Sequence, residues 1–588
     1  MGWVIDTGKL SSLCIAYYCS GHGYGHATRV SALVQALLNV DLHGTIHIVS
    51  SAPEHVFSDC IKRGAFYRYA EIDPVIVQPL AYEIDRQRSL AVLKSFLSKK
   101  DLLLQREKRW LQELGATAVL SDAAFLGCMA AKYANIPSAL VTNFTFDSVY
   151  SFLSAQIAEN LENSDAMTSD IPLSATELEP LIDQIHFGYR CADLLVLLPG
   201  SIPIPSFFCS PSLPASSWVT ANLKQLHPQI IDSILWQRSG ADLLPAVPFP
   251  DTGTLLPRSV IDAPLLVREP SRDCYTPQGR LRILSKLGLP AESRTRKTRV
   301  LVVSFGGQYF QQPSRDGSRN HIRNVCREHP QEVLPLNAGS NVTQKDEPTR
   351  HTIMDPCLLA TPLSRLVKGP QLWAHVTPPA KGVGSSPQAT LTIGLCSKTP
   401  VTGPNATYVD MIPHAAEAIP YDPQLLPDES WIAIVCGVSK EKWLEGAALP
   451  DRFYVAPKDI YMPDLTAIAD VLLGKLGYGT VSECVDACTP FIYVSRPLFV
   501  EEYGLKIQLE REGVGVELER SSYEAGDWAP AIREALKRGK QLKERKRLQM
   551  AKTLSDSSVD TRHLEIMKLA EDVIGWVDNW ANKVRRGE

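Results

Sequence analysis

Two short glycine-rich segments carry most of the side chains that could do chemistry in this chain. The first spans residues 20–29 and reads SGHGYGHATR. Glycines let the backbone approach a ligand closely, and a histidine can accept a proton near neutral pH. Its candidate residues are Gly21, His22, Gly23, Gly25, His26 and Arg29.

Each polar side chain of this first segment has two interpretations. His26 is the first candidate for a general base, with Asp122 as its partner or substitute, and the alternative is a histidine that only hydrogen-bonds the turn. His22 is expected to be structural. Arg29 either holds a phosphate or carboxylate or lies on a solvated helix face. The spacing is not G-x-G-x-x-G, and no acidic residue takes the ribose-binding place, so a nicotinamide or flavin site is disfavoured.

The second segment, LGKLGYGTVSE at residues 473–483, predicts a tight loop followed by a helix that begins around Thr480. The loop Gly477–Thr480 and the helix N-terminus could hold a diphosphate, with Glu483 accepting hydrogen bonds from a ribose. Alternatively, Thr480 and Glu483 form a capping box. Lys475 is either a phosphate contact or a surface charge. The order of residues excludes a Walker phosphate loop.

The elements that position these segments are apolar strands alternating with helices. The first segment joins the strand Leu13–Cys19 to a helix whose apolar residues share one face, and the strand Thr45–Val49 follows. This βα rhythm returns in a second block that opens at Arg299–Ser304 and resumes at Trp431–Cys436. Continuous apolar runs are typical of parallel strands covered on both faces. The pattern predicts an α/β fold with two Rossmann-like, doubly wound parallel-sheet domains facing a cleft.

Two stretches interrupt the rhythm, because they are rich in Pro, Ser, Thr and Gly and are long for connections in a compact domain. We expect them to be irregular insertions without the central chemistry. The predicted division is an N-terminal acceptor-side domain at 11–207, an insertion at 208–258, a linker and the start of the C-terminal domain at 259–308, a low-order insertion at 309–426, a nucleotide-binding domain at 427–555 and a C-terminal helix at 556–588.

Composition excludes several classes of protein. A net charge of -4 over 588 residues argues against a nucleic-acid-binding body. No apolar run approaches the length of a membrane span, and no secretory signal pattern opens the sequence. The 13 cysteines are scattered without a C-x-x-C pair, which predicts reduced thiols in a cytoplasmic protein and no metal site.

The chain resembles a known family in the order of its motifs. These are GHGYGHATR at 21–29, SD at 121–122, VTNFTFD at 141–147, LPGSIPIPSF at 198–207, VSFGGQ at 303–308, IVCG at 434–437, LLGKLGYGTVSE at 472–483 and RPLFVEEYGL at 496–505. They resemble the GT-B glycosyltransferases, and within that superfamily the glycosyltransferase-like half of plant arabinokinases. No Pro-x-x-x-Gly-Leu-x-Ser-Ser segment follows residue 530, so sugar phosphorylation is not expected of this chain.

The resemblance implies a role for each matching position. The pattern from Gly479 through Ser482 to Glu483 implies diphosphate and ribose contacts. Glu501 and Glu502 occupy the positions at which the family has an acidic residue followed by a glutamine, both in contact with the donor sugar. Glu502 departs from the pattern because it replaces the glutamine. For His26, the resemblance implies contact with the acceptor and the transferred sugar. It implies neither a metal nor a further cofactor.

Three functions remain open from the sequence. The first is a glycosyltransferase that moves a hexosyl or pentosyl group from a nucleotide diphosphate sugar, expected to be a UDP-sugar, to an unknown acceptor without a metal. The second is a non-catalytic sugar-nucleotide sensor or regulatory protein. The third is an interaction scaffold, which the long insertions suggest, although the protein partners are unknown.

Overall fold

The computed structural model describes residues 13–21, 23–40, 44–156, 171–220, 222, 225–239, 247, 249, 258–306, 423–437, 449–556 and 561–586. Within these ranges the strands are β1 Leu13–Cys19, β2 Gly44–Ser50, β3 Phe66–Tyr69, β4 Ala118–Asp122, β5 Ser138–Thr142, β6 Leu194–Leu197, β7 Ser259–Asp262, β8 Arg299–Ser304, β9 Trp431–Cys436, β10 Phe453–Val455, β11 Val471–Gly474, β12 Phe491–Tyr493 and β13 Gly515–Glu517. The helices are α1 Tyr24–Asn39, α2 Ser58–Lys62, α3 Arg86–Leu114, α4 Phe125–Ala134, α5 Phe146–Ser151, α6 Ala175–Arg190, α7 Pro228–Ser239, α8 Pro277–Lys286, α9 Met462–Ile468, α10 Tyr478–Ala487, α11 Glu501–Glu512, α12 Arg520–Ala525, α13 Ala529–Asp556 and α14 Thr561–Arg586.

The strands form two parallel sheets with the same winding. The seven-stranded sheet has the order β3-β2-β1-β4-β5-β6-β7, and the six-stranded sheet has the order β10-β9-β8-β11-β12-β13. Neighbouring strands are parallel throughout both sheets. In each sheet the chain starts in the middle, winds to one edge and then returns to the other side, which is the Rossmann arrangement. The predicted class of two doubly wound parallel sheets is confirmed.

Burial explains why the central strands could be predicted from sequence. The last five residues of β1 are buried, as is every residue of β4 and β9. Parallel strands covered on both faces carry apolar residues continuously, not alternately. The predicted strands Leu13–Cys19, Arg299–Ser304 and Trp431–Cys436 accordingly have the same bounds in the structure.

The predicted division into domains stays a prediction, and the structure adds two facts to it. β7 lies within the predicted linker and forms the edge of the first sheet. α7 lies within the predicted irregular insertion at 208–258. The predicted insertion at 309–426 falls outside the described residues except for its last four positions. Among the helices described, none is long and apolar enough to cross a membrane.

The two sheets are held together by segments that cross between them. α14 packs against α1 of the first sheet. The connection between β3 and α3 places Ala81 and Tyr82 in the apolar core of the second sheet, where both are buried. Arg520 of α12 lies over the Tyr82 ring at 4.5 Å. These crossings fix the carboxyl ends of both sheets at one junction, where both glycine-rich segments lie.

Candidate functional site

The first glycine segment forms a tight turn between β1 and α1. Gly23 is the N-cap of α1 and has φ of 91°, a left-handed conformation that L side chains rarely adopt. A Cβ atom placed on Gly21 would lie 1.8 Å from the Ser51 hydroxyl, so a side chain does not fit there. Ser20, just before the turn, hydrogen-bonds the buried carboxyl of Asp73. The predicted candidate His22 lies outside the described residues.

The structure brings His26 and Asp122 together, although they come from different elements. His26 lies in the first turn of α1, and Asp122 is the last residue of β4. His26 Nδ1 lies 2.8 Å from Asp122 Oδ1, with His26 5 % exposed and Asp122 fully buried. Burial lowers the pKa of His26, and the charge of Asp122 opposes this. The imidazole is therefore a neutral group at neutral pH, with a carboxylate on Nδ1.

Arg29 completes this cluster and is not a solvated surface residue. Its guanidinium donates from Nε to Asp122 Oδ2 at 2.6 Å and from Nη2 to Oδ1 at 2.5 Å, and the side chain is 1 % exposed. Such a paired geometry is the strong form of an ion pair. Burial alone would raise the pKa of Asp122, but Arg29 and His26 hold it below its usual value. The solvated-face interpretation of Arg29 is therefore wrong, because the guanidinium is buried on the carboxylate of Asp122, and its contact with a bound phosphate or carboxylate stays a prediction.

Aromatic rings cover the other sides of the imidazole. The ring centroid of Phe144 lies 5.6 Å from that of His26, edge to face, and Phe146 is stacked at 6.4 Å. Both phenylalanines follow β5, and both are buried. The surroundings of His26 therefore combine one carboxylate, one guanidinium and apolar walls. This low-polarity environment strengthens the charge interactions of the cluster.

The second glycine segment forms the N-terminus of α10. The helix begins at Tyr478, its N-cap is Gly477, and no side chain caps it. Thr480 therefore lies inside the first turn, and the predicted capping box of Thr480 with Glu483 is wrong. Because no side chain takes the N–H groups of the first turn, they remain directed out of the helix. Together with the helix dipole, such groups favour an anion.

Glu483, one turn into α10, is held by residues from two other segments. Arg268 Nη2 donates to its Oε1 at 3.2 Å, and the Thr466 hydroxyl donates to Oε2 at 3.4 Å. Glu483 is 7 % exposed, and burial raises the pKa of its carboxyl while Arg268 opposes this. The carboxyl lines a shallow depression in the surface. Its lining residues are Val267, Arg268, Pro270, Pro463, Glu483, Asp486 and Ala487.

Glu501 and Glu502 at the start of α11 differ in what they contact. Both oxygens of Glu502 are engaged by Arg496, since its backbone N–H donates to Oε2 at 2.9 Å and its Nε donates to Oε1. Arg496 Nη2 lies 3.6 Å from Glu501 Oε1, but Oε2 of Glu501 is buried without a hydrogen-bond partner among the described residues. Burial raises the pKa of Glu502 to about 7 and also raises that of Glu501. Of these two glutamates, only Glu501 has a carboxylate oxygen without a hydrogen-bond partner among the described residues, and that oxygen could accept from a ligand.

Lys475 lies in the loop after β11 and is half-buried, so it is not simply a charge on the surface. A Cβ atom placed on Gly306, in the turn after β8, would lie 3.5 Å from Lys475 Cε. Burial lowers the pKa of Lys475 well below its ordinary value, Arg496 lowers it further, and Glu501 and Glu502 oppose this. An anion in this place would favour the charged form of the Lys475 amino group.

The two glycine segments touch each other across the junction of the sheets. A Cβ atom placed on Gly479 would lie 3.4 Å from Gly25 Cα, so the two backbones lie next to each other with room for little more than a methyl group between them. Beside them the guanidinium of Arg29 lies 4.9 Å from the centroid of the Tyr478 ring. The backbone N–H of Leu266 donates to the Tyr478 hydroxyl at 3.2 Å. The histidine cluster and the α10 N-terminus therefore form one site.

Four residues of this site had no assigned role in the sequence analysis, namely Asn143, Arg268, Tyr478 and Arg496. Asn143 accepts from Arg29 Nη1, and the other three contact Glu483, Arg29 and Glu502. Arg496 and Tyr478 do lie within the motifs that carry the family resemblance. Arg268 lies outside every motif, and its partner is far away in the sequence, so no local signal could have revealed it.

The comparison with curated proteins finds a relative that supports the predicted resemblance. The chain is 24% identical to the L-arabinokinase of Arabidopsis thaliana over 526 residues. The match covers 89% of this chain and 32% of the relative, so the chain spans about a third of the length of that protein. No protein-family model matches the chain. The predicted resemblance to arabinokinases is confirmed at this level of identity.

Several solved structures are similar over nearly the whole chain. CalG4, a calicheamicin glycosyltransferase, is 12% identical, with 97% of this chain and 99% of that chain covered and a TM-score of 0.43. UGT73P12 of Glycyrrhiza uralensis, complexed with glycyrrhetinic acid 3-O-monoglucuronide, is 11% identical with 98% and 99% covered and a TM-score of 0.44. UGT2 of Phytolacca americana, complexed with UDP-2fluoro-glucose and pterostilbene, is 11% identical with 96% and 100% covered and a TM-score of 0.42. The chain is thus distantly similar in sequence to about a third of L-arabinokinase.

Proposed function

We propose that this protein transfers a sugar from a nucleotide diphosphate sugar to a hydroxyl group of an acceptor. One observation carries the proposal. The paired His26 and Asp122 lie at the same junction as the α10 N-terminus, where Gly25 lies next to Gly479. A base and an anion-binding helix end are the two groups that this reaction requires, one for the proton of the acceptor and one for the charge on the leaving diphosphate.

His26 is the proposed base. In the proposed tautomer Nδ1 carries a proton and donates it to Asp122 instead of accepting from Arg29 Nη2, which lies 3.0 Å away, so Nε2 takes the proton of the acceptor hydroxyl. The hydroxyl oxygen then bonds to the anomeric carbon, and the bond from that carbon to the β-phosphate oxygen breaks. Asp122 stays ionised because Arg29 holds it by two hydrogen bonds. It can therefore hold the ring in one tautomer throughout the reaction.

The donor is proposed to lie along the start of α10. The N–H groups from Tyr478 to Thr480 and the ammonium of Lys475 face the diphosphate, and Ser482 lies one turn further along the helix. Glu483, which borders the surface depression, accepts from the ribose hydroxyls. The unpartnered Oε2 of Glu501 accepts from a hydroxyl of the donor sugar, since a buried carboxylate oxygen without a donor costs free energy until one arrives. Metal independence and a cytoplasmic location stay predictions.

A ligand panel tests this proposal. Nucleotide sugars and UDP are added to the wild type, to Glu483→Ala and to Glu107→Ala, in which a buried glutamate paired with Arg68 in another part of the molecule is removed. A ligand at about 100 times its dissociation constant stabilises the folded state by about 2.7 kcal/mol. We expect that stabilisation in the wild type and in Glu107→Ala and its loss in Glu483→Ala. A panel in which no compound stabilises the wild type would refute the proposed donor site.

Turnover is tested separately with the histidines. His186 also has Nδ1 on a carboxylate, 2.9 Å from Asp147, and it lies on α6. His26→Ala should abolish sugar release while leaving donor binding intact, and His186→Ala should keep both. Equal loss in the two variants would contradict the assignment of His26 as the base.

A second function has one observation in its favour. Arg496 engages both oxygens of Glu502, so this carboxylate does not contact the donor sugar in the way that its position in the motif implies. A sensor that binds a sugar nucleotide without turning it over would not need that contact. Stabilisation by a nucleotide sugar, with no product in the wild type, would favour this second function over transfer.

A further inference from the structure

The guanidinium of Arg29 is fixed along all of its edges. Nε and Nη2 donate to the two oxygens of Asp122, and Nη1 donates to the side-chain oxygen of Asn143. Asp122 ends β4 and Asn143 follows β5, so these contacts anchor Arg29 to two strands of the first sheet. The plane of the guanidinium is therefore set by the first sheet.

The face of the same guanidinium contacts the second sheet's side of the junction. The Tyr478 ring lies 4.9 Å from Arg29 Cζ, against 6.0 Å for the Phe144 ring. Tyr478 is the first residue of α10 and follows Gly477 in the loop proposed to hold the diphosphate. A cation over an aromatic face is attracted to it, more strongly where water is excluded. A movement of this loop therefore moves a partner of Arg29.

The third neighbour of Arg29 is the proposed base. Three charged groups act on His26, namely Asp122 from β4, Arg29 from α1 and Lys475 from the loop after β11. Arg29 Nη2 lies 3.0 Å from His26 Nδ1, close to the 2.8 Å that separates Nδ1 from Asp122. A positive charge at this distance disfavours the imidazolium, and the carboxylate favours it. The pKa of His26 therefore depends on the charge of the guanidinium that lies beside it.

We propose that Arg29 is a positioning residue that relays the position of the donor loop, Gly477–Thr480, to His26. The inference rests on the proposed function, in which this loop holds the donor diphosphate. A dianion at the loop compensates part of the charge of Arg29, whose guanidinium the first sheet holds in place. The repulsion between that guanidinium and a protonated His26 is then smaller while Asp122 still favours the proton, so His26 is a better base when the donor is present.

Titration of His26 by NMR tests the relay without requiring turnover. The full chain is labelled at the histidine Cε1 positions, and the His26 signal is identified by its loss in His26→Gln. The variants are Arg29→Gln, which removes the charge, and Tyr478→Leu, which removes only the ring over it. Arg86→Lys is the control, because Arg86 is also a buried arginine but donates to the backbone oxygens of Leu153 and Ala155.

The expected order of effects is specific to a relay. Loss of a like charge in contact should raise the pKa of His26 by about 1–3 units in Arg29→Gln. Tyr478→Leu keeps the ion pair but removes the electron-rich ring face that offsets part of the guanidinium charge, so it should lower the pKa of His26, by less than Arg29→Gln raises it, and Arg86→Lys should leave it unchanged. An unchanged pKa in Tyr478→Leu would overturn the relay, as would equal shifts in Tyr478→Leu and Arg86→Lys.

A second arm separates this inference from the proposed function. UDP at saturation should raise the pKa of His26 in the wild type, and that response should be smaller in Tyr478→Leu. If UDP and the nucleotide sugars bind nowhere, the proposed function fails, while the comparison of Tyr478→Leu with Arg86→Lys still decides whether Arg29 connects the loop to His26. A ligand response of equal size in Tyr478→Leu and the wild type would refute the relay alone.

Discussion

The ion pair of Arg29 with Asp122 should be among the most costly interactions to break in this protein. Both side chains are buried, with 1 % of Arg29 and none of Asp122 exposed to solvent. Asp122→Asn removes one charge and leaves a buried guanidinium without its counter-charge. Arg29→Met does the reverse and also removes the bond to Asn143. Breaking a buried pair on one side typically costs about 3–5 kcal/mol, because one charge stays buried and uncompensated.

The double variant separates the value of the pair from the cost of an orphaned charge. When both charges are removed, no uncompensated charge remains, so we expect the double variant to lose less than the sum of the single losses, with a difference of up to about 3 kcal/mol. Urea unfolding, followed by circular dichroism and tryptophan fluorescence, gives the free energy of unfolding of each variant, with one shared value for its linear dependence on urea concentration. The pair Lys94–Glu177 is the control, since it has a similar distance of 2.7 Å but side chains that are 50% and 44% exposed. Lys94→Met should cost no more than about 1 kcal/mol.

Two results would refute this reasoning. If Asp122→Asn costs no more than Lys94→Met, burial does not make the pair costly to break. If the losses of Asp122→Asn and Arg29→Met simply add in the double variant, the two side chains do not act as a pair. Either result would also remove the physical basis for a carboxylate that stays ionised beside His26.

Three further perturbations concern single buried groups. Burial raises the pKa of Asp73 to about 7. Between about pH 4 and 7 the folded state therefore binds more protons than the unfolded state, so the free energy of unfolding falls as pH rises. Asp73→Asn should flatten this pH dependence of the free energy of unfolding in urea titrations. Burial lowers the pKa of Lys543 to about 7. From about pH 7 to 10 the unfolded state therefore binds more protons than the folded state, so the free energy of unfolding rises with pH. Lys543→Met should lose this rise. Because burial lowers the pKa of Lys475, UDP binding should be coupled to proton uptake by this side chain and should weaken as pH rises. Calorimetry in buffers of different ionisation enthalpy measures the proton uptake, and Lys475→Met should abolish it. A pH slope that is unchanged by the matching substitution would count against each assignment.

The sheets could be predicted from sequence because their signal is local. A strand such as β9 is buried along its whole length, so its apolar run is continuous and its ends are marked by polar or turn residues. The pairing of His26 with Asp122 was also within reach, since the carboxyl ends of parallel strands meet at one edge of a sheet. These features need only a pattern and the rule for winding a parallel sheet.

The partners of charged groups could not be predicted in the same way. Lys543 belongs to a basic run on α13 that reads as a solvated helix, yet its ammonium is buried and donates to the Ala487 carbonyl at the end of α10. Glu502 follows a motif that implies ligand contact, yet Arg496 engages it. In each case the decisive contact comes from another element, and periodicity within one element carries no information about which polar partner another element supplies.

The charges at the junction are consistent with the proposed diphosphate ligand. On the first sheet's side Arg29 compensates Asp122, so a neutral His26 leaves that half without net charge. On the other side Lys475 faces two carboxyls whose pKa values burial raises, so part of the negative charge there is already removed. An anion would favour the charged form of Lys475 and would meet the positive end of the α10 dipole, whereas a cationic ligand would be disfavoured by both. Glycines at the point where the two segments lie closest let their backbones approach a ligand without a side chain in the way.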